Sequence, residues 1–154
     1  MKLLLSIFAL CTLLLADGET KKVVIDLTAA DVKTIETNVL SGIVAHKRHY
    51  ENSLQELEVA VVIHGGAYRF FLKDPSVTLY KDDKALEKAF DKLKKRLASL
   101  AEIYNVEFLM CDFGRKKNKL ELSNIVEYVK MVPNSTIGLI DKQNEGYAYL
   151  PIAD

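Results

Sequence analysis

The chain has 154 residues, of which 49% are hydrophobic and 27% are charged. This balance is typical of one folded domain of ordinary size, and it excludes a disordered chain. The formal net charge is zero, which argues against a dedicated nucleic-acid binder, because such proteins usually carry a strong basic excess.

The first 16 residues, MKLLLSIFALCTLLLA, have the pattern of a secretory signal peptide. Lys2 precedes an apolar core, and the small residue Ala16 precedes a polar segment. The apolar run is shorter than the roughly 20 residues that a transmembrane helix needs. We expect cleavage after Ala16, export to the bacterial periplasm and a mature domain over residues 17–154. An uncleaved membrane anchor is the alternative.

Export would leave the chain with one thiol. Of the two cysteines, Cys11 would leave with the signal peptide, and Cys111 would remain without an intrachain partner. An unpaired cysteine in an exported protein is a buried inert side chain, an intermolecular crosslink or a reactive group.

The first half of the chain alternates predicted strands and helices. KKVVIDL (21–27) is a β-branched run that predicts a strand, and apolar residues three and four apart from Val32 to His46 predict a helix. The apolar run ELEVAVVIHGG (56–66) predicts a strand buried on both faces. AYRFFLKD (67–74) predicts short helical turns that Pro75 ends.

The second half continues this alternation. Residues 82–104 keep a helical spacing of apolar positions, and VEFLMCDF (106–113) predicts a buried strand followed by a basic loop. The spacing of Asn118 and Glu121 is that of a capping box, which predicts a helix through Val129. A short helix at 135–144 and a last strand, GYAYLPI (146–152), complete the chain. This order predicts a three-layer α/β/α sandwich with a mostly parallel sheet of four to five strands.

Candidate site residues follow two of the predicted strands. Open α/β sheets bind ligands at the carboxyl ends of their strands, where His64 and Cys111 stand. Gly65 and Gly66 would let the backbone approach a ligand closely. The cations Arg115 and Lys116 would favour a thiolate and an anionic ligand, whereas the adjacent Asp112 would oppose the thiolate.

Each of these residues also has a purely structural interpretation. Cys111 fits a small core side chain, His64 a histidine bonded to a nearby carbonyl, and the basic residues a solvated loop. His46 and His49 lie three apart without a third ligand nearby in sequence, which favours a surface pair over a metal site. The sequence predicts no metal and no cofactor.

Four segments, in order, resemble the DsrE/DsrF-like (TusD-related) family, in particular its small exported members. They are KKVVIDLT, EVAVVIHGGAYRFFLKD, VEFLMCDFGRKKNKLEL and VPNSTIGLIDKQNEGYAYLPI. The resemblance implies a three-layer α/β fold that assembles into trimers or hexamers. It also implies that a cysteine after the third strand, here Cys111, receives sulfur as a persulfide and passes it on. The family usually continues with Gly or Asn and then a small or hydroxyl residue, where this chain has Asp112, Phe113 and Gly114.

The resemblance favours an exported sulfur-relay protein that carries sulfane sulfur on Cys111. Its expected partners are a protein that donates or accepts the sulfur and further copies of the chain, with no nucleic acid and no membrane after signal cleavage. His64 would stabilise or move a proton, and Arg115 and Lys116 would hold the persulfide. The alternative is a non-catalytic binding module for a small anion or a partner protein, in which Cys111 only packs.

Overall fold

The computed structural model describes residues 20–154, and the predicted signal peptide lies outside the described residues. Five strands form one parallel sheet: β1 (Lys21–Leu27), β2 (Leu57–Ile63), β3 (Glu107–Cys111), β4 (Val129–Val132) and β5 (Ala148–Ile152). Their order across the sheet is β4-β3-β2-β1-β5. The strands β2, β3 and β4 thus follow one another on one side of β1, and β5 pairs with β1 on its other side.

Helices connect the strands. The first connection contains α1 (Val32–Thr34), a π-helical stretch (Ile35–Ser41) and α2 (Gly42–Glu51), which follow one another without a break. The later connections contain α3 (Lys84–Glu102), α4 (Asp112–Lys117) and α5 (Ser135–Asn144), with 3₁₀ turns at Gly65–Phe71, Pro75–Val77 and Leu122–Asn124. Among the described residues, no helix is both long enough and apolar enough to cross a membrane.

The long helix α3 shows how local sequence sets these elements. Asp83 caps it by accepting a hydrogen bond of 3.0 Å from the amide of Leu86, which satisfies one of the free donors of the first turn. Its buried residues lie on one face because they are three, four or seven positions apart; they are Leu86, Leu93, Leu97 and Leu100. This face packs against the larger of two apolar clusters.

The two faces of the sheet are covered by different helices. The larger cluster joins alternate strand residues, such as Ile25 and Val61, to buried residues of the π-helical stretch, α2 and α3. The smaller cluster contains the residues between them, Val24, Ala60, Val62 and Leu109, and Leu139 of α5 packs against it. Helices thus lie on both sides of a parallel sheet, which confirms the predicted three-layer α/β/α fold.

One region differs from the sequence-based prediction. The predicted basic loop is the helix α4, and the helix predicted from Asn118 through Val129 is wrong. That segment contains the 3₁₀ turn Leu122–Asn124 and then the edge strand β4, which pairs with β3. Over so short a stretch, the apolar residues near Val129 fit both the helical and the strand period. Pairing with β3 stabilises the strand.

Candidate functional site

Cys111 lies where β3 passes directly into α4. It is the last residue of β3 and the N-cap of α4, and its Sγ accepts a hydrogen bond of 3.3 Å from the amide of Gly114. It is the free cysteine among residues 20–154, and it is 5% exposed. The predicted position at the carboxyl end of a strand is therefore confirmed, with the thiol at the beginning of a helix.

Tyr68, in the connection that follows β2, contacts Cys111. It belongs to the 3₁₀ turn that follows β2, it is 1% exposed, and its hydroxyl donates a hydrogen bond of 2.9 Å to the carbonyl oxygen of Cys111. A Cβ at position 114 would overlap this hydroxyl. Gly114 therefore allows the Tyr68 ring to reach Cys111.

A third contact comes from the beginning of α5. Val132 of β4 pairs with Cys111, and the amide of Phe113 donates 3.2 Å to the carbonyl oxygen of Pro133. These two links bring the first residue of α5, Ser135, close to Cys111, where its amide and its hydroxyl act to lower the pKa of the thiol.

These contacts favour the thiolate. Burial raises the pKa of Cys111, but the hydrogen bond from the Gly114 amide and the neighbouring donor groups of Tyr68 and Ser135 outweigh burial and lower this pKa below its usual value. Burial raises the pKa of Tyr68 strongly, so its phenol stays protonated and remains a donor. A donor-rich surrounding with a lowered pKa is the setting in which a cysteine is nucleophilic.

His64 directly follows β2, the strand beside β3, and its ring contacts the carboxylate of Asp26. Its Nε2 is 2.5 Å from Oδ1 of Asp26, and the hydroxyl of Tyr149 donates 2.7 Å to Oδ2 of the same residue. The cluster therefore joins Tyr149 of β5 and Asp26 of β1 to His64, which directly follows β2.

The structure places His64 and Cys111 on adjacent strands. Ile63 of β2 pairs with Met110 of β3. His64 directly follows Ile63, and Cys111 directly follows Met110. His64 and Cys111 therefore lie at the same edge of the sheet, at the ends of adjacent strands. Cys111 also belongs to the larger apolar cluster.

The two glycines after His64 bring connections together. Gly65 has a φ of +59°, and the amide of Gly66 donates 3.0 Å to the carbonyl oxygen of Thr28. A Cβ on Gly66 would lie 2.6 Å from the Cβ of Ala30. Gly66 thus lets the loop after β2 approach the loop after β1, and the predicted approach of the two glycines to a ligand stays a prediction.

The two predicted cations both contact the same acid. Asp112 accepts from Nε of Arg115 at 2.7 Å and lies 2.6 Å from Nζ of Lys116. The hydrogen bonds from Lys116 and Arg115 hold the pKa of Asp112 below its usual value. Arg115 is buried and also donates to the carbonyl oxygen of Leu120. The charge of Asp112 beside the thiol is thus largely neutralised.

Comparison with known proteins identifies the family. A sequence model of the DsrE/DsrF-like family matches residues 23–152. The chain belongs to the DsrE/DsrF-like family. An uncharacterized protein of Aquifex aeolicus (strain VF5) is 29% identical over 94 residues, which cover 56% of this chain and 41% of that protein. The chain thus matches less than half the length of this relative.

The fold of this DsrE/DsrF-like chain also occurs in a solved structure. It is similar to a protein of unknown function, MTH1491 from Methanobacterium thermoautotrophicum, with a TM-score of 0.59 and 19% identity. The superposition covers 85% of this chain and 98% of that chain. At this identity the likeness shows the fold alone.

Several residues of this edge were not predicted from the DsrE/DsrF-like sequence. Tyr68 and Ser135 contact Cys111 from distant elements, and Asp26 and Tyr149 hold His64. A signal existed for Asp26, because it is an acid inside the otherwise apolar run VVIDL. The positions of the others depend on the order of the strands.

The predicted surface pair His46 and His49 lies elsewhere. Both are exposed residues of α2, and they line a cavity of about 580 Å³ together with Tyr50 and with Leu150 of β5. Among residues 20–154, no group of three or more His, Cys, Asp or Glu side chains is arranged to hold a metal ion.

Proposed function

We propose that the chain is a sulfur carrier that holds sulfane sulfur as a persulfide on Cys111. Membership of the DsrE/DsrF-like family suggests a sulfur-relay role that involves partner proteins. The observation that carries the finer proposal is the set of donors around one thiol. Gly114, Ser135 and Tyr68 contact Cys111 and together lower its pKa.

The chemistry requires only a thiolate and a donor of sulfane sulfur. The Cys111 thiolate attacks the outer sulfur of a donor persulfide, R–S–S–H, and a new S–S bond forms. The S–S bond of the donor breaks, and R–S⁻ leaves with the electron pair of that bond. Cys111–S–S–H then passes its outer sulfur to an acceptor thiolate by the same exchange. Each step conserves charge and needs no oxidant.

The same donors would stabilise the charge on the sulfur in both directions of the exchange. The amide of Gly114, in the first turn of α4, donates to the sulfur, and Ser135 at the beginning of α5 helps to lower the pKa of the thiol. Arg115 and Lys116, the predicted persulfide contacts, would act from behind Asp112, since this carboxylate already binds both of them. We therefore assign the direct contacts to the hydrogen-bond donors, with the two cations as a second layer.

The test is sulfur loading followed by intact-mass measurement. The mature chain is incubated with polysulfide, and Cys111→Ala serves as the matched control. We expect the wild-type chain to gain the mass of one sulfur atom and the variant to gain none. Loading that is absent from the wild type, or equal in both proteins, would contradict the proposal.

A second candidate function rests on the burial of the thiol. Because Cys111 is 5% exposed, a binding module in which the cysteine only packs is the alternative. Native labelling with a small alkylating reagent separates the two functions. Rapid, pH-dependent labelling of Cys111 supports the carrier, and labelling that occurs only after unfolding supports the binding module.

We also propose that the chain is exported to the bacterial periplasm and that it assembles with further copies of itself. Export rests on the sequence of residues 1–16, and assembly rests on the family resemblance. The mass of the protein recovered from a periplasmic fraction tests export, with an expected N-terminus at Asp17. Sedimentation of the mature chain tests assembly, and a monomer at all concentrations would contradict it.

A further inference from the structure

The carboxylate of Asp26 lies between an imidazole and a phenol. Its Oδ1 is 2.5 Å from Nε2 of His64, and its Oδ2 accepts 2.7 Å from the hydroxyl of Tyr149. Each oxygen thus has one partner from a neighbouring strand or strand end. The arrangement fixes the carboxylate from both sides.

The position of Asp26 makes this pairing necessary. It follows the buried Ile25 within β1, and its side chain is 16% exposed. On its face of the sheet the preceding side chains belong to an apolar cluster that includes Val24 and Val62. Removing a carboxylate from water is costly unless it is paired and hydrogen-bonded. An apolar residue at position 26 would be compatible with the strand β1. The presence of an acid there therefore requires another explanation.

The contact to Asp26 determines which ring nitrogen of His64 can accept a proton. A neutral imidazole carries its proton on one nitrogen and accepts with the other, and the hydrogen-bond partner decides which. A carboxylate accepts hydrogen bonds only, so the nitrogen that faces it, Nε2, must carry the proton. Nδ1 is then the acceptor of the ring.

We propose that Asp26 and Tyr149 are positioning residues, which hold His64 in the tautomer with a proton on Nε2 so that Nδ1 can accept a proton from a thiol. This inference rests on the proposed sulfur-carrier function. The thiol that the proposed function supplies is that of Cys111, which ends the adjacent strand β3. Its S–H bond breaks, the electron pair stays on sulfur, and an N–H bond forms at Nδ1.

The carboxylate also stabilises the product of this step. Proton transfer to Nδ1 makes an imidazolium, and Asp26 at 2.5 Å supplies the opposite charge. Tyr149 keeps the carboxylate in place by donating to its second oxygen. His64 itself is 27% exposed at its side chain, so the proton can continue to solvent.

The experiment reads the tautomer and the rate separately. Nitrogen chemical shifts of the His64 ring are recorded in alkaline buffer, at about pH 9, so that the neutral ring is observed. We expect the Nε2-protonated form in the wild type and loss of this preference in Asp26→Asn, because an asparagine can also donate to Nε2. We also expect sulfur loading of Cys111 to slow by about 10-fold or more in this variant.

The chain contains a matched control for the carboxylate. Glu58 of β2 also accepts a hydrogen bond from a tyrosine, at 2.9 Å from the hydroxyl of Tyr147, but no histidine of the described part of the chain forms a hydrogen bond or ion pair with it. Glu58→Gln should therefore leave both the His64 shifts and the loading rate unchanged. Tyr149→Phe, at an exposed position, serves as the second variant if Asp26→Asn does not fold, and it should slow loading less than Asp26→Asn.

Two results would overturn this inference. One is a wild-type His64 with its proton on Nδ1, and the other is an Asp26→Asn variant that keeps both the wild-type tautomer and the wild-type rate. Failure of the proposed function is distinguishable from these results. A wild type that never loads sulfur disproves the carrier, whereas the ring shifts still decide whether Asp26 fixes His64.

Discussion

The hydroxyl of Tyr68 occupies the space that a side chain at position 114 would need, and Gly114 leaves this space free. The Tyr68 hydroxyl lies where a Cβ of residue 114 would stand, and it uses this position to donate to the carbonyl oxygen of Cys111. The glycine that follows the cysteine by three residues is thus required by a tyrosine 46 positions earlier in the chain.

Gly114→Ala should therefore destabilise the fold although alanine favours helices. The gain in helix propensity is about 1 kcal/mol, and overpacking against a buried ring costs about 1–3 kcal/mol. We expect a net loss in the free energy of unfolding, measured with urea. The double variant Tyr68→Phe/Gly114→Ala should recover part of this loss because the overlapping oxygen is gone. Simple addition of the two single effects would contradict this coupling.

The reactivity of Cys111 should depend on Ser135. The hydrogen bonds from Ser135 contribute to the lowered pKa of the thiol, so Ser135→Ala should raise this pKa and slow alkylation severalfold at neutral pH. The measurement is the alkylation rate of Cys111 against pH. Ser99→Ala is the control, since the Ser99 hydroxyl donates to the carbonyl oxygen of Lys95 on α3. A rate profile that does not move in Ser135→Ala would rule out this role.

Asp112 should stabilise the fold through Arg115. The Arg115 guanidinium has 11% of its side chain exposed, so Asp112→Asn weakens the pairing of a nearly buried charge. We expect a loss of about 1–3 kcal/mol in the free energy of unfolding. The control is Lys116→Met, which removes a partner that is 68% exposed and should cost at most about 1 kcal/mol. Equal losses in both variants would show that burial does not set the cost.

Asp154 should make the stability of the first loop depend on pH. Its carboxylate accepts hydrogen bonds from the amides of Ala30 at 2.7 Å and Asp31 at 3.1 Å, and these bonds lower the pKa of Asp154 below its usual 3.8. A lowered pKa stabilises the fold above the unfolded-state value, and this stabilisation is lost as the pH falls through the folded-state value.

The thermal midpoint of Asp154→Asn should accordingly lie below that of the wild type at neutral pH. The difference should shrink as the pH falls below the unfolded-state value of about 4, and it should vanish once the pH has passed through the lowered pKa of the folded-state carboxylate. Asp141→Asn, at an exposed position of α5, provides the matched control. A difference between Asp154→Asn and wild type that persists unchanged in acid would contradict the assignment.

The sequence predicted the central elements because their signals are long or strongly periodic. The strand ending at Ile63 is a continuous apolar run, and α3 keeps one apolar face over five turns, so propensity and burial agree. The position of Cys111 at the end of β3 followed from the same kind of run.

The regions that the sequence did not predict depend on contacts between distant residues. The helix α4 has a cysteine as its N-cap and contains a glycine and three consecutive cations, so its local signals indicate a loop. The contact between Asp26 and Tyr149 exists because β5 pairs with β1. Local sequence patterns do not predict the order of the strands in the sheet. The donors around Cys111 come from the connections after β2 and β4 for the same reason.

Cyanolysis of the sulfur-loaded protein tests the central claim most directly. Cyanide removes the outer sulfur of a persulfide as thiocyanate and leaves the thiolate behind. We expect one thiocyanate per loaded wild-type chain, return of that chain to its original mass, and none from Cys111→Ala. Loaded wild-type protein that releases no thiocyanate, or a Cys111→Ala variant that releases as much as the wild type, would contradict a persulfide on Cys111.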